Sequence, residues 1–224
     1  MRSSEKTMIV VAIDGPAGAG KSTIAKALAK ELKVRYLDTG AMYRAVTFAA
    51  LLRKVDLQDE KTVAEIAEKC TMQIEDDSIS IDGVDATLAI RGPEVTRAVS
   101  IIATNSLVRT ELRNRQRRWV SDNNGGVVEG RDIGSVVFPD ATLKVYLTAS
   151  PLVRARRRVA QSGGDVDQIA NEIAERDARD SSRADSPLKK TNDSLTLDTS
   201  ESSIEDVVEK LCLLVKRAIE KRNS

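Results

Sequence analysis

Met8-Ile-Val-Val-Ala-Ile-Asp-Gly-Pro-Ala-Gly-Ala-Gly-Lys-Ser22 decides how the rest of the chain is read. Its first six residues form a continuous apolar run, as expected of a strand buried on both faces of a parallel sheet. Gly15-Pro-Ala-Gly-Ala-Gly-Lys-Ser22 then fits the pattern GxxxxGK[ST], and Ile24, Leu28 and Leu32 follow at helical spacing. Small residues in such a loop let backbone N–H groups surround phosphate oxygens, and the helix start adds partial positive charge. Lys21 is placed to reach the β- and γ-phosphates of a nucleotide, and the Ser22 hydroxyl to help hold Mg²⁺. A Gly/Ala-rich turn with a solvated lysine is the plainer reading, and the strand–loop–helix context speaks against it.

Outward from this loop the pattern alternates. Val34–Asp38, Gly126–Glu129, Leu143–Leu147 and Leu195–Leu197 read as further strands. Tyr43–Lys54 reads as a helix, Ser150-Pro151 opens another, and Ser203-Ile-Glu-Asp206 caps a terminal one with an apolar stripe from Ile204 to Ile219. This spacing predicts an α/β fold: a parallel five-stranded sheet flanked by helices. Between Thr71 and Ile90 the period shifts to two, and Asp82-Gly83 is a hairpin signal, so a small antiparallel hairpin is expected inside an insertion. Helical material follows from about Gly92 to Asn123. An irregular stretch at 161–167 opens an Arg/Asp-dense segment that runs to Lys190.

Composition narrows the chemistry. The 224 residues suffice for one substantial core, and 41% apolar with 31% charged residues is the balance of a globular domain. With 35 Lys+Arg against 34 Asp+Glu the net charge is +1, which offers no whole-molecule field for nucleic acid or anionic lipid. No apolar run spans a membrane and the N-terminal residues do not resemble a signal peptide, so a cytoplasmic protein with reduced Cys70 and Cys212 is expected. Histidine is absent altogether. Ser-His-Asp and Cys-His nucleophiles, HExxH zinc sites and any imidazole base are thereby removed. Phosphoryl transfer, which relies on positioning and charge neutralisation, suits what remains.

Two arginines suggest a second anion. Arg44, in Asp38-Thr-Gly-Ala-Met-Tyr-Arg44, and Arg131, in Glu129-Gly-Arg-Asp-Ile-Gly134, both follow strand ends, where α/β folds bind ligands. Each can clamp a phosphate in bidentate fashion. With the donor already served by its own loop, the acceptor is expected to carry a phosphate. The arginines at 109, 113, 115, 117 and 118 lie on one expected helix, where most such arginines are simply solvated. By spacing alone, Arg176, Asp177, Arg179, Asp180, Arg183 and Asp185 read as a salt-bridge ladder on a surface helix.

The stretches IDGPAGAGKS, LDTGAMYR, VRTELRNRQR, EGRDIGSVVFPDA and ERDARDSSRADSPL, with LDTS before the last helix, closely resemble the bacterial cytidylate kinase family of nucleoside monophosphate kinases. The resemblance implies a single kinase domain over 1–224. Its core is expected at about 7–38, 125–160 and 191–224, a monophosphate-binding region at about 39–124, and a mobile lid at about 161–190. It implies transfer of the γ-phosphate of ATP to CMP or dCMP, with Mg²⁺ at Ser22 and these nucleotides as partners. A monomer is expected because no long apolar stripe is left unassigned, and the balanced charge and short apolar runs give no nucleic-acid or membrane partner.

The same resemblance assigns residues. Gly15, Pro16, Ala17, Gly18, Ala19, Gly20, Lys21, Ser22, Thr23 and Arg157 would bind ATP, Arg157 with Arg154 and Arg158 on the lid-bearing helix. Thr39, Arg44, Ser100, Arg109, Glu129, Arg131, Asp132, Arg176 and Asp180 would bind CMP. Among these, Arg44 and Arg131 would take its phosphate, and Asp132, Ser100 and Arg109 its cytosine edge. Arg176 and Asp180 would touch sugar and phosphates. Lys21, Arg131, Arg176 and Arg183 would be catalytic, with Arg183 bridging the two phosphates. Thr39 and Glu129 stand where the family favours serine and aspartate, and Ser181-Ser182 where it often carries a further basic residue. A related kinase acting on UMP or shikimate is one rival; an RNA-binding P-loop module is another, disfavoured by balanced charge and 3% aromatic residues.

Overall fold

The computed structural model describes residues 8–75 and 78–223. The first half runs β1 (Ile9–Asp14), α1 (Lys21–Leu32), β2 (Tyr36–Asp38), α2 (Thr39–Leu52), α3 (Glu60–Lys69), β3 (Met72–Ile74), β4 (Ile79–Ile81) and β5 (Val84–Asp85). It continues with α4 (Pro93–Ile102), α5 (Ser106–Asp122), β6 (Gly125–Gly130), β7 (Leu143–Thr148), α6 (Pro151–Ser162), α7 (Val166–Ser182), β8 (Leu195–Asp198) and α8 (Ile204–Asn223). Five parallel strands form one sheet in the order β2-β6-β1-β7-β8, and β3-β4-β5 form a small antiparallel sheet.

β1 lies at the centre of the sheet, which explains its unbroken apolar sequence. Val11, Ile13 and Val127 pack with Ile24 and Leu28 of α1 and Val207, Leu211 and Val215 of α8 on one face. Val10, Ala12 and Val128 pack with Met42 and Val46 of α2 and Leu112 of α5 on the other. Because the sheet is parallel, β1, β2 and β6 open toward the same edge, and Asp14, Asp38 and Glu129–Gly130 stand side by side there. The phosphate loop, the start of α2 and the Arg131 turn therefore share one rim.

Several sequence expectations need correction. α2 begins at Thr39, not Tyr43, because the Asp38 carboxylate caps it, accepting the Ala41 N–H at 3.0 Å. The expected hairpin is a three-stranded sheet: Asp82-Gly83 does turn β4 into β5, while β3 pairs with β4 on its other side. Helix α3 was not expected. The helical stretch before Asn123 is broken at 103–105, where Asn105 accepts from Leu107 and Val108 N–H to cap α5. The irregular segment is shorter than expected, since α6 runs to Ser162 and Asp165 caps α7. Ile204, counted in the terminal stripe, is exposed.

Candidate active site

The donor loop folds as its sequence requires. Gly15 adopts φ +148°, and a Cβ there would stand 2.1 Å from the Leu147 carbonyl oxygen of β7, so no other residue fits. Gly18, at φ +76°, lies against α6, where a Cβ would meet that of Arg154 at 2.9 Å. Lys21 is buried and donates to the Pro16 carbonyl at 2.9 Å. Burial pushes its ammonium well below the usual lysine range, and the charges of Arg131 and Arg176 push it the same way, against Glu129 and Asp14. Ser22 and Thr23 open α1 with exposed side chains. Arg157 reaches the loop from behind: it donates to Thr199 Oγ1 at 2.9 Å, and that hydroxyl donates to the Ala19 carbonyl at 3.1 Å.

Facing Lys21 is a crowd of guanidinium groups. Burial lowers Arg176 to about 10, and Arg131, Arg44 and Arg158 add to the effect, opposed by Asp180. Burial likewise lowers Arg44 to about 10, with Arg158 next among its causes and Arg91 and Arg131 adding. Arg44 donates to the Ile90 carbonyl at 3.0 Å and Thr96 Oγ1 at 2.8 Å, which anchors it between α2 and α4. Arg131 Nε donates to Asp180 Oδ2 at 3.0 Å. Like charges gathered this closely repel one another, so the arrangement favours a multiply charged anion among them.

A second cluster adjoins it. Arg109, 1% exposed, donates to Asp132 Oδ2 at 2.6 Å, and Tyr43 lies 5.5 Å beneath its guanidinium. Asp14, which sequence reasoning passed over, fixes the turn that carries Asp132: its two oxygens accept the Ile133 and Gly134 N–H groups at 2.8 and 2.7 Å. Burial pushes the Asp14 carboxyl up to about 6 despite these bonds. After Asp132 the chain winds through a wide helical turn, 133–137, before Phe138. Ser100 is half-buried on α4.

Glu129 is buried at the end of β6, where Tyr36 donates a short hydrogen bond to it and the Ser22 hydroxyl is a second partner. Burial raises its carboxyl, and Asp38 raises it further. The Thr39 hydroxyl donates to the Glu129 carbonyl at 2.7 Å and is itself buried.

The structure thus brings Lys21, Arg44, Arg131, Arg176 and Asp180 together, with Arg109 and Asp132 alongside. Arg158 belongs to the same crowd, while Arg154 and Arg157 brace the donor loop from outside. Arg183 does not stand beside Lys21: its neighbours are Asp180, at 3.5 Å, and the charges of Arg109 and Asp132. Of the ladder that spacing suggests on α7, the Asp180–Arg183 rung forms, and the other carboxylates turn elsewhere. Asp177 pairs with Arg154 and Asp180 with Arg131, both on other elements. Nor are the arginines of α5 simply solvated: Arg113 bonds Asp185 at 2.8 Å, Arg115 the Cys70 carbonyl at 2.9 Å, and Arg117 the Val137 carbonyl at 3.0 Å. The residues that sequence reasoning missed are Asp14, Tyr36, Asp177 and Thr199. Each lies inside or beside a quoted motif, but none has a spacing rule of its own.

Among solved structures, the chain is similar to a gluconokinase from Sinorhizobium meliloti 1021 (TM-score 0.53, 11% identity, covering 98% of each chain). It is also similar to TT1252 from Thermus thermophilus (TM-score 0.51, 20% identity, 95% of this chain and 98% of that one). These likenesses concern the fold alone. Sequence comparison goes further. The chain is 44% identical over 216 residues to the cytidylate kinase of Bacillus cereus (strain ATCC 10987 / NRS 248), covering 92% of this chain and 96% of that one. It matches the cytidylate kinase of Bacillus thuringiensis (strain Al Hakam) to the same extent. The family model for cytidylate kinase matches residues 11–217. The chain belongs to the cytidylate kinase family.

Proposed function

We propose that the protein transfers the γ-phosphoryl group of ATP to CMP or dCMP, releasing ADP and CDP or dCDP. The observation that carries this reading is the meeting of Arg44, Arg131, Arg158 and Arg176 opposite Lys21, beside a buried Asp132–Arg109 pair. One anion seat serves the donor and another the acceptor phosphate, and the carboxylate–guanidinium pair offers an acceptor and donors for a base edge. An acceptor that brings only a hydroxyl and no anionic group of its own leaves the second seat unexplained.

In this reading the core comprises about 7–38, 125–160 and 191–224, the monophosphate-binding region 39–124 and the lid 161–190. The Gly15–Ser22 loop cradles the donor phosphates through the backbone N–H groups of Gly18–Ser22, with Lys21 on the β- and γ-phosphates. Arg44 and Arg131 hold the acceptor phosphate, and Arg176 spans the transfer line. Arg183 reaches that line only when α7 shifts, since it stands on the base side here. Phosphate monoesters lose their second proton at a pH of about 6, so the acceptor oxygen is an anion at neutral pH and needs no strong base. That accords with a chain without histidine.

Mg²⁺ fits the residues at hand. The Ser22 hydroxyl is exposed at the head of α1, with Glu129 as its hydrogen-bond partner. Among the described residues no group of three or more acidic, cysteine or histidine side chains could hold a metal alone. Such an ion would bind Ser22 together with phosphate oxygens and water, and would supply charge neutralisation. Among the described residues no helix is long and apolar enough to cross a membrane. The large exposed apolar residues, among them Leu52, Leu88, Leu152 and Leu213, are scattered along the chain, which supports a monomer.

A coupled ADP-release assay with ATP·Mg²⁺ and each of CMP, dCMP, UMP, AMP and shikimate tests the reading. Turnover fastest with CMP or dCMP is expected; shikimate turnover above that with CMP would overturn it. A sharper check bears on base recognition. The Asp132→Asn substitution replaces an oxygen that can accept from the exocyclic amine of cytosine, an amine uracil lacks. The ratio of kcat/KM for CMP to that for UMP is expected to fall about tenfold. An equal loss on both nucleotides would remove Asp132 from base reading.

A further inference from the structure

Asp177 follows Arg176 on α7, and its carboxylate faces the donor loop. One oxygen accepts the Ala17 N–H at 2.9 Å, and the other takes a short charge-assisted bond from Arg154. The same Arg154 nitrogen donates to the Ala17 carbonyl at 3.0 Å. A single residue of the phosphate loop, Ala17, is thus held at both its N–H and its C=O by residues of α6 and α7. The clasp is largely shielded from solvent: the Asp177 side chain is 16% exposed and that of Arg154 11%. Three residues further along the same helix, Asp180 does the corresponding work on the acceptor side, taking Arg131 Nε at 3.0 Å. Helix α7 therefore carries two carboxylates on one face, one directed to each half of the site.

Between them in function stands Arg176, which has a mechanical problem. Arg131, Arg44 and Arg158 all repel it, and only Asp180 opposes them among its principal charged neighbours. Electrostatics alone would drive this guanidinium out of the cluster, so its helix must be tied down nearby. The tie nearest to it in sequence is Asp177. Arg154 neutralises that carboxylate, so the tie brings no uncompensated negative charge to the donor phosphates.

We propose that Asp177 is a positioning residue for phosphoryl transfer: by clasping Ala17 it fixes the span between donor loop and α7, and so sets Arg176 on the transfer line. The proposal rests on the reading that ATP is the donor and CMP the acceptor. Misplacement of a catalytic group by about 1 Å can cost about 10²-fold in rate.

The test compares wild type, Asp177→Ala and Asp177→Asn, varying ATP·Mg²⁺ and CMP separately. It also follows the Ala17 amide of each protein by ¹⁵N NMR without nucleotide. Asp177→Ala is expected to lower kcat about 10- to 100-fold while KM for CMP stays within about threefold, and to move the Ala17 resonance. Asp177→Asn keeps an oxygen for the Ala17 N–H but weakens the grip of Arg154; its kcat should fall between the two, with the Ala17 resonance near its wild-type position. If Asp177→Ala does not fold, a kcat loss of at least about threefold in Asp177→Asn at unchanged KM for CMP supports the proposal. Wild-type kcat in the variants overturns it. So does a parallel rise of both KM values with a lowered Tm, which would mark Asp177 as merely structural. Wild-type protein that fails to phosphorylate CMP sinks the parent reading as well, and is distinguished by failing before any variant is compared.

Discussion

Arg176→Ala is expected to lower kcat by about 10³-fold, the lower end of what an arginine at a travelling phosphoryl group contributes. The argument starts from burial and charge. A guanidinium lowered to about 10 by burial and by neighbouring arginines is held there against its own solvation preference. In the free protein that arrangement costs stability. It is offset when charge spreads over the transferring group, because donors already in place need no reorganisation at that moment. Binding should suffer less than rate, since Arg44 and Arg131 remain to hold the acceptor phosphate. Arg176→Lys should recover little, because an ammonium cannot copy the planar fork. Single-turnover transfer from radiolabelled ATP to CMP measures the effect directly. A loss below tenfold would take Arg176 off the transfer line.

The second large effect concerns Lys21. Lys21→Met keeps the length of the side chain and removes its charge, and should cut kcat/KM for ATP at least about 10³-fold, or about 4 kcal/mol of transition-state stabilisation. The same substitution should raise Tm at pH 7, by on the order of 5 °C. Burial and the charges of Arg131 and Arg176 hold the folded-state pKa of Lys21 below its unfolded value near 10.5. Between the two values the unfolded chain binds more protons than the folded one, so stability rises with pH through that window and the penalty is full below it. Methionine carries no such penalty. Calorimetry of both proteins between pH 6 and 10 should therefore show a gap in Tm that narrows as pH rises. A gap that widens, or a variant less stable at pH 7, would contradict the assigned cause.

Much of this was legible in the chain. β1 and the phosphate loop announce themselves through an apolar run and small residues at fixed offsets, because the close approach of Gly15 to Leu147 permits nothing else. The rim position of Arg44 and Arg131 followed from parallel strands opening toward one edge. Other features were hidden because they depend on partners distant in sequence. The charges of α7 look like a ladder until Arg131 and Arg154 are seen across from Asp180 and Asp177, 49 and 23 residues away. By spacing alone Arg109 reads as one more surface arginine, and only the family resemblance singles it out; in the fold Asp132 and Tyr43 enclose it. Asp14 gives no signal at all: a lone carboxylate after a strand acquires meaning only when the 133–134 amides turn toward it. The start of α2 is hidden because Asp38 both ends β2 and caps the helix that follows without a loop.

The pairing of β1 with β6 has one more implication. Asp14 is level with Gly130 in the register of two adjacent parallel strands, so the donor loop and the Arg131 turn depart from the sheet at the same height. Neighbouring strands lie about 4.8 Å apart, and each residue advances a strand by about 3.3 Å. The hydrogen-bond ladder therefore acts as a ruler between the two substrates. Loops elsewhere can lengthen without disturbing it, whereas a single codon inserted into either strand would slide one phosphate seat past the other and turn alternate side chains inside out.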